Sequence, residues 1–210
     1  MTHGATTLEA VIDAIPTDHR VLVGIGGPPG AGKTTLASSL ALVLPNAVAV
    51  SMDGWHLSNA QLQAEGKAQR KGAPDTIDTE GLLLALQQIQ TQSEHKESVY
   101  LPAFEHGVGD PIAESICVTP SVETVIFEGN YLLLETQPWS MVRAMFDVRI
   151  YCDVPWPVCR KRLIARKINN GKSEDEATRW ADRVDFPNHQ VISSDSGRGD
   201  LRYASDAIGA

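Results

Sequence analysis

No apolar run in the sequence approaches the roughly 20 residues that a membrane-crossing helix needs, and Thr2 to Ile15 mixes acidic and apolar residues without a basic leader or a cleavage site. A protein that stays in the cytoplasm, with no membrane partner, is the expectation. Cysteine is scarce. Cys117, Cys152 and Cys159 form no C-x-x-C pair and would leave one over from any bridge, so free thiols are expected. Basic residues are in deficit, 18 against 26 acids, for a formal net charge of -8. That balance excludes a general nucleic-acid binder, whose affinity rests on excess Lys and Arg. Any basic site must be local. Internal repeats and low-complexity segments are also missing.

What is present reads as an ordinary globular chain, 42% hydrophobic and 21% charged over 210 residues. That length suits one domain spanning 1–210. Apolar, β-rich runs stand at Val21 to Gly26, Ala47 to Met52, Thr124 to Phe127, Val148 to Cys152 and Gln190 to Ser193. Helical patterns fall at Lys33 to Leu44, Thr79 to Gln92, Val158 to Asn170 and Ser173 to Val184, the last opened by a capping box from Ser173 to Glu176. Strands that are apolar throughout, alternating with helices, predict an α/β fold: a five-stranded parallel sheet between helical layers, three layers α/β/α, with ligands beyond the strands' carboxyl ends. Ser98 to Pro120 breaks the rhythm with short extended pieces at Tyr100-Leu101 and Ile116-Cys117-Val118, and reads as a small substrate-side insertion.

Directly after the first strand comes Gly27-Pro28-Pro29-Gly30-Ala31-Gly32-Lys33-Thr34, followed by Thr35, the full G-x-x-x-x-G-K-[ST] pattern in strand-to-helix context. Such a loop turns backbone N–H groups toward phosphate oxygens, and the next helix adds partial positive charge from its N-terminus. Lys33 would place a point charge at the β- and γ-phosphates of ATP, and the Thr34 hydroxyl would ligate Mg²⁺.

Two acids end apolar strands, Asp53 in Ser51-Met52-Asp53-Gly54 and Glu128 in Val125-Ile126-Phe127-Glu128-Gly129. A parallel sheet brings both to the edge that carries the phosphate loop. Asp53 is the candidate base for an acceptor hydroxyl and Glu128 the candidate holder of Mg²⁺-bound water, although sequence alone allows the two roles to be exchanged. Farther on, Arg162 and Arg166 share a helix face at i, i+4, near Arg160, Lys167 and Lys172. They are either lid arginines for the transferred phosphoryl group or a solvated basic face paired with Glu174 to Glu176.

With these motifs in view, the chain resembles the phosphoribulokinase/uridine kinase family of P-loop kinases, and within it the bacterial pantothenate-kinase-like and sugar (fructose) transport-associated kinases. Beyond the phosphate loop the resemblance rests on Met52-Asp53-Gly54-Trp55-His56, Arg70-Lys71-Gly72-Ala73-Pro74-Asp75-Thr76-Ile77-Asp78, Pro102-Ala103-Phe104-Glu105-His106 and Ile126-Phe127-Glu128-Gly129-Asn130-Tyr131. It implies a P-loop NTPase fold, Asp53 as base with Lys33, Arg162 and Arg166 in catalysis, and an acceptor pocket drawn from Trp55, His56, Arg70, Lys71, Phe104, His106 and Tyr131. His56 could simply cap the next helix, and without the family argument His106 suits a surface loop near Gly107 as well. Uridine kinases of the family carry a ribose-binding Asp two residues before the proline of this motif. Here Gly72 stands there, after Arg70 and Lys71, in a form similar to that of pantothenate kinases, which bind an acidic substrate. A polar acceptor such as a sugar derivative follows, with Arg70 or Lys71 reading a negative charge on it. By position alone, Ser193 to Asp200 would loop near the adenine.

Two other functions share the phosphate loop. A switch NTPase hydrolysing ATP or GTP would carry an N-K-x-D guanine signature, which is absent, and its D-x-x-G matches at Asp78 to Gly81 and Asp206 to Gly209 fall at a helix start and in the tail. A regulatory nucleotide-binding protein would have no use for both Asp53 and Glu128.

Overall fold

The structure, a computed structural model, describes residues 6–95, 97–105, 107–195 and 199–204. Its centre is a five-stranded sheet in the order β2-β5-β1-β6-β7, built from β1 (Val21–Gly26), β2 (Ala47–Ser51), β5 (Thr124–Gly129), β6 (Val148–Cys152) and β7 (Leu201–Tyr203). Every pairing in it is parallel. β1 and β5 are buried at all six positions, which is why they read as continuous apolar runs rather than alternating ones.

The pleat of these strands divides the core between the two faces of the sheet. Leu22, Val125, Phe127 and Tyr151 point into one cluster, with Leu82, Leu86 and Ile89 of α4 (Thr79–His95), Trp139 and Val142 of α5 (Trp139–Ala144) and Ile192 of α8 (Phe186–Asp195). Val21, Val23, Ile25, Ile126, Ile150 and Cys152 point into the other, with Val11 of α1 (Leu8–Asp13), Leu36 and Leu40 of α2 (Lys33–Val43), and Cys159 and Leu163 of α6 (Trp156–Asn169). Three layers, α/β/α, result. Among the described residues no helix is long and apolar enough to cross a membrane.

The irregular stretch between α4 and β5 is an antiparallel hairpin of β3 (Val99–Glu105) and β4 (Asp110–Val118), with a register shift between Leu101 and Ala103. It packs beside the 3-10 turn Met52–Trp55 that follows β2, so the insertion stands next to Asp53. A short α3 (Asn59–Ala64) and two single 3-10 turns, Ala68–Arg70 and Pro74–Thr76, complete that side.

One expected element is corrected. Gln190 to Ser193 is not a strand; it lies inside α8, and the fifth strand is Leu201–Tyr203, paired with β6. Val191 and Ile192 look β-like as a pair, but only Ile192 is buried, and it continues the stripe of Ala177, Ala181 and Asp185 at helical spacing. Of the segment expected near the adenine, Ser193 to Asp195 are helical, Gly199 and Asp200 lead into β7, and 196–198 lie outside the described residues.

Arg20, just before β1, ties the far end of the sheet. Its guanidinium donates to the carbonyls of Thr119 at 3.1 Å, Pro120 at 3.0 Å and Val122 at 2.6 Å, and to the Gln92 side chain on α4, whose own amide donates to Glu97 and Val118 carbonyls. Replacing Arg20 by Ala removes this set of donors from the Val122, Thr119 and Pro120 carbonyls and from Gln92, and is expected to cost about 1–3 kcal/mol. A lowered urea midpoint at unchanged slope is the measurement; Arg20→Lys, which keeps the charge but not the fork, should recover only part of the loss.

Candidate functional site

The loop between β1 and α2 is shaped by residues that no side-chain-bearing replacement fits. Gly30 and Gly32 have φ of 80° and 87°, in the left-handed region, and a Cβ on Gly30 would stand 2.9 Å from the Cys159 carbonyl oxygen. Gly32 is the N-cap of α2, so the free N–H groups of the first turn face the loop. Lys33 opens that helix yet is only 7% exposed. Its Nζ donates to the Pro28 carbonyl at 3.0 Å and to Asn130 Oδ1 at 2.8 Å. Burial pushes the ammonium pKa down, and the nearby Glu128 carboxylate partly restores it.

Strand register explains why Glu128 and Asn130 are there. β5 lies between β1 and β2, with Glu128 opposite both Ile25 and Ser51, so the chain leaving β5 runs beside the phosphate loop. Glu128 is itself 7% exposed, and Thr34 Oγ1 donates to its Oε1 at 3.1 Å. Burial raises its pKa, against the opposing pull of Lys33. Asn130 belongs to the Ile126 to Tyr131 run but is not among the candidate site residues that the sequence suggests; a polar residue two positions after Glu128, just past the end of β5, is the local signal for it.

Asp53 enters from the other neighbour of β5. It sits in the 3-10 turn after β2, its N–H held by Ser51 Oγ at 3.3 Å. Asp53, Lys33, Thr34, Thr35, Glu128, Asn130, Arg162 and Arg166 line one open cleft of about 280 Å³. His56 Nδ1 lies 2.9 Å from the Asp53 carbonyl oxygen and 3.8 Å from its carboxylate. The ring centroid of His56 is 5.1 Å from that of Phe104 on β3, over which Lys71 Nζ stands at 5.4 Å. Capping α3 falls instead to Ser58, in a box with Gln61.

The charges of the basic helix are used differently on its two faces. Arg162 and Arg166 line the cleft, and Arg162 Nη1 donates to the Gly30 carbonyl at 3.3 Å. Arg160 faces away and pairs with Asp182 at 2.7 and 3.0 Å, and Lys167 lies over the Trp180 ring at 4.3 Å. Within the Glu174 to Glu176 run, Glu176 is engaged in capping α7 (Glu174–Trp180) through Ser173.

The residues expected at the acceptor side separate into surface and core. Trp55 and Tyr131, 5% and 1% exposed, belong to the core and present no face to the cleft: Trp55 packs on Phe127, and Tyr131 packs on Trp139 and donates its O–H to the Gly72 carbonyl. They position the loops around the cleft rather than line it, because their aromatic bodies fill space between the sheet and its covering layer. Arg70 pairs with Asp75 at 2.8 Å, and Lys71 reaches across to the hairpin tip, donating to the Asn59 side chain at 2.7 Å and to the Gly109 carbonyl, with Asp110 at 3.5 Å. His106 lies outside the described residues.

The donor set suits a nucleotide with a hard divalent cation. Positive-φ glycines and free helix N–H groups match a polyphosphate, and Lys33 is a buried cation with room for an anion beside it. Among the described residues no group of three or more His, Cys, Asp or Glu could hold a metal. Thr34 and Glu128, with water and phosphate oxygens, match the sparse protein share of a Mg²⁺ shell.

The family model for the phosphoribulokinase/uridine kinase family matches residues 22–189. A Schizosaccharomyces pombe protein provisionally named a uridine kinase is 34% identical over 202 residues, covering 90% of this chain and 85% of its own. The crystal structure of a provisionally named fructose transport system kinase from Silicibacter sp. TM1040 superposes with a TM-score of 0.86 at 34% identity, covering 95% of this chain and 100% of that one. A pantothenate kinase of Coxiella burnetii is 28% identical over 160 residues, 70% of this chain but 49% of its own length.

The local environment has two measurable consequences. Burial pushes the Cys152 thiol up to about 12 and Cys159 up to about 11, while Cys117 is exposed on β4. At pH 8 an alkylating reagent should modify Cys117 alone in the folded protein and all three after unfolding, read as adduct counts by mass spectrometry. Asn130→Ala removes a side-chain partner of a buried ammonium and should lower the stability of the nucleotide-free protein by about 1–3 kcal/mol in a denaturant titration.

Proposed function

The chain belongs to the phosphoribulokinase/uridine kinase family of P-loop kinases, and from that membership we propose that it is a cytoplasmic small-molecule kinase. It transfers the γ-phosphate of ATP to an alcohol hydroxyl of a small polar metabolite, a sugar, nucleoside or pantothenate-like compound. The observation that carries this reading is the position of Asp53: a carboxylate shares one cleft with Lys33, Thr34, Glu128, Arg162 and Arg166. Nucleotide binding alone needs the loop and Lys33. A carboxylate on the opposite wall is what an incoming hydroxyl needs.

Each residue has a distinct part in the transfer. Asp53 takes the proton of the acceptor hydroxyl as its oxygen bonds to phosphorus, and the bridging oxygen leaves with the nucleoside diphosphate. The backbone N–H groups from Gly30 to Thr34 and the Lys33 ammonium hold the phosphates, while Arg162 and Arg166 donate to charge spreading over the transferred group. Thr34 and Glu128 would hold Mg²⁺, which when bound neutralises β- and γ-phosphate oxygens. His56 keeps Asp53 in place through its backbone carbonyl and shares the acceptor side with Phe104. Arg70 or Lys71 would read a negative group on the acceptor, exchanging Asp75 or Asp110 for it.

A panel of nucleosides, pantothenate, and free and phosphorylated sugars with Mg-ATP, followed by ADP release, tests the reading. Acceptor-dependent turnover is expected, lost in Lys33→Ala and reduced about 10²–10⁴-fold in kcat by Asp53→Asn, with the KM for ATP little changed. Hydrolysis that needs no acceptor and survives Asp53→Asn would instead identify a switch-type NTPase. For a phosphorylated acceptor, Arg70→Ala should raise its KM and leave that of neutral acceptors alone; an equal effect on both removes Arg70 as the charge reader.

A further inference from the structure

Acids outnumber basic residues in this chain, so a surface cation has acids to pair with, as Arg70 does with Asp75, Arg149 with Asp200 and Arg160 with Asp182. Lys172, Arg179 and Arg183 depart from that rule. Among the described residues none of the three makes a hydrogen bond or an ion pair, and all three line one recess of about 510 Å³ between the end of α6 and α7. Lys167 joins them, its Nζ 4.3 Å from the centre of the Trp180 ring. Glu176, an acid on the same wall, is engaged in capping, where its Oε2 accepts from the Ser173 N–H at 3.1 Å and the Ser173 hydroxyl at 3.0 Å. A concave surface lined by charge of one sign draws counter-ions to it.

The recess has an apolar neighbour. Trp180, a large aromatic residue left 47% exposed, stands where it meets a second recess of about 530 Å³, between α8 and the loop 68–76. Trp180, Arg183 and Val184 line both. From Trp180 the same helical face runs through the π-helical turn Ala181–Asp185 and into α8 as Val184, Pro187 and Val191, at i+4, i+7 and i+11, an apolar stripe turned to the recess rather than to the core. Asn188 beside that stripe and Gln69 on the facing loop carry side-chain amides that no other described residue engages. Neither recess shares a lining residue with the cleft that holds Asp53; on α6, Arg166 lines the cleft and Lys167 the first recess.

The two halves together define a ligand. Four cations around one recess match a phosphate group better than a single carboxylate, and the guanidiniums of Arg179 and Arg183 match its oxygens in pairs. An exposed indole beside an apolar stripe suits a flat ring, and the two amides suit a ring edge that carries donors and acceptors. Inorganic phosphate would leave Trp180 and the stripe in water; an uncharged ring would leave the cations uncompensated. We propose that the paired recesses are a second ligand site, outside the phosphate-transfer cleft, for a phosphorylated planar-ring compound of the nucleoside monophosphate kind, with its phosphate among Lys172, Arg179 and Arg183 and its ring on Trp180 toward Pro187 and Val191. The proposal stands apart from the kinase reading, because Lys172, Arg179, Trp180 and Arg183 have no part in the transfer chemistry.

Isothermal titration of the full chain tests it, with Mg²⁺ and a saturating non-hydrolysable ATP analogue present to fill the cleft. The probes are AMP, GMP, CMP, UMP and flavin mononucleotide, beside inorganic phosphate and the unphosphorylated nucleosides. At least one probe should bind once per chain, about 10-fold or more tighter than phosphate or its own unphosphorylated form, and more weakly as NaCl is raised. Which probe binds most tightly identifies the ring. Arg179→Ala and Arg183→Ala should each weaken that binding about 10- to 100-fold and Trp180→Ala about 10-fold, while affinity for the ATP analogue stays within about 2-fold, which also shows that the variants are folded. No binding of any probe overturns the proposal, as does binding that these substitutions leave unchanged. Phosphate bound as tightly as the probes removes the ring from it. A probe displaced by more of the ATP analogue lies in the cleft and overturns it too. So does a raised acceptor KM in Arg183→Ala without any probe bound, which would make the recess part of the acceptor site.

Discussion

A lysine ammonium held almost out of water behind the loop after β1 is the constraint around which the site is arranged. Lys33 has to be at the first turn of α2 to stand beside phosphate, and that location lies under the loop rather than on the surface. An unpaired charge there would be costly. The Pro28 carbonyl and the Asn130 amide oxygen receive two of its N–H groups, and Glu128 supplies opposite charge nearby. Two of these three partners come from the end of β5. The strand order that inserts β5 between β1 and β2 is therefore also what makes the buried lysine tolerable.

The same order delivers the chemistry. β5 brings Glu128 to Thr34, and β2, on the other side of β5, brings Asp53 to the opposite wall. A parallel sheet with its ligand site beyond the carboxyl ends needs no special loop to gather these groups. What surrounds them is less regular. The hairpin β3–β4 and the 68–76 loop come from separate stretches, and they are joined by Lys71 to the hairpin tip and by Tyr131 to Gly72. The phosphate side is held by backbone geometry; the acceptor side is held by side chains, which is where substrate preference within a family can change without disturbing the fold.

Among the basic residues, charge alone did not indicate use. Arg160, Arg162, Arg166 and Lys167 lie within two helical turns, yet one is spent on Asp182, one lies over Trp180, and two face the cleft. A helix rotates each successive residue by about 100°, so neighbours in sequence answer to different surroundings.

By itself the sequence determined the phosphate loop, the parallel α/β frame and the two strand-end acids, because each is encoded within a few consecutive residues: a glycine pattern, an apolar run, an acid at its close. The hairpin was legible too, as a break in that rhythm. Only the tertiary structure decided the rest, since it depends on what packs against a residue from elsewhere in the chain. Trp55 and Tyr131 sit in a motif beside polar neighbours, and the covering layer turned them into core. Gln190 to Ser193 and Leu201 to Tyr203 have similar local content, and pairing with β6 chose the second as the strand. Asn130 gained its meaning from Lys33, 97 positions earlier in the sequence. Local periodicity carries secondary structure and strand-end chemistry; partnership across the fold is a long-range property, written in no single stretch of residues.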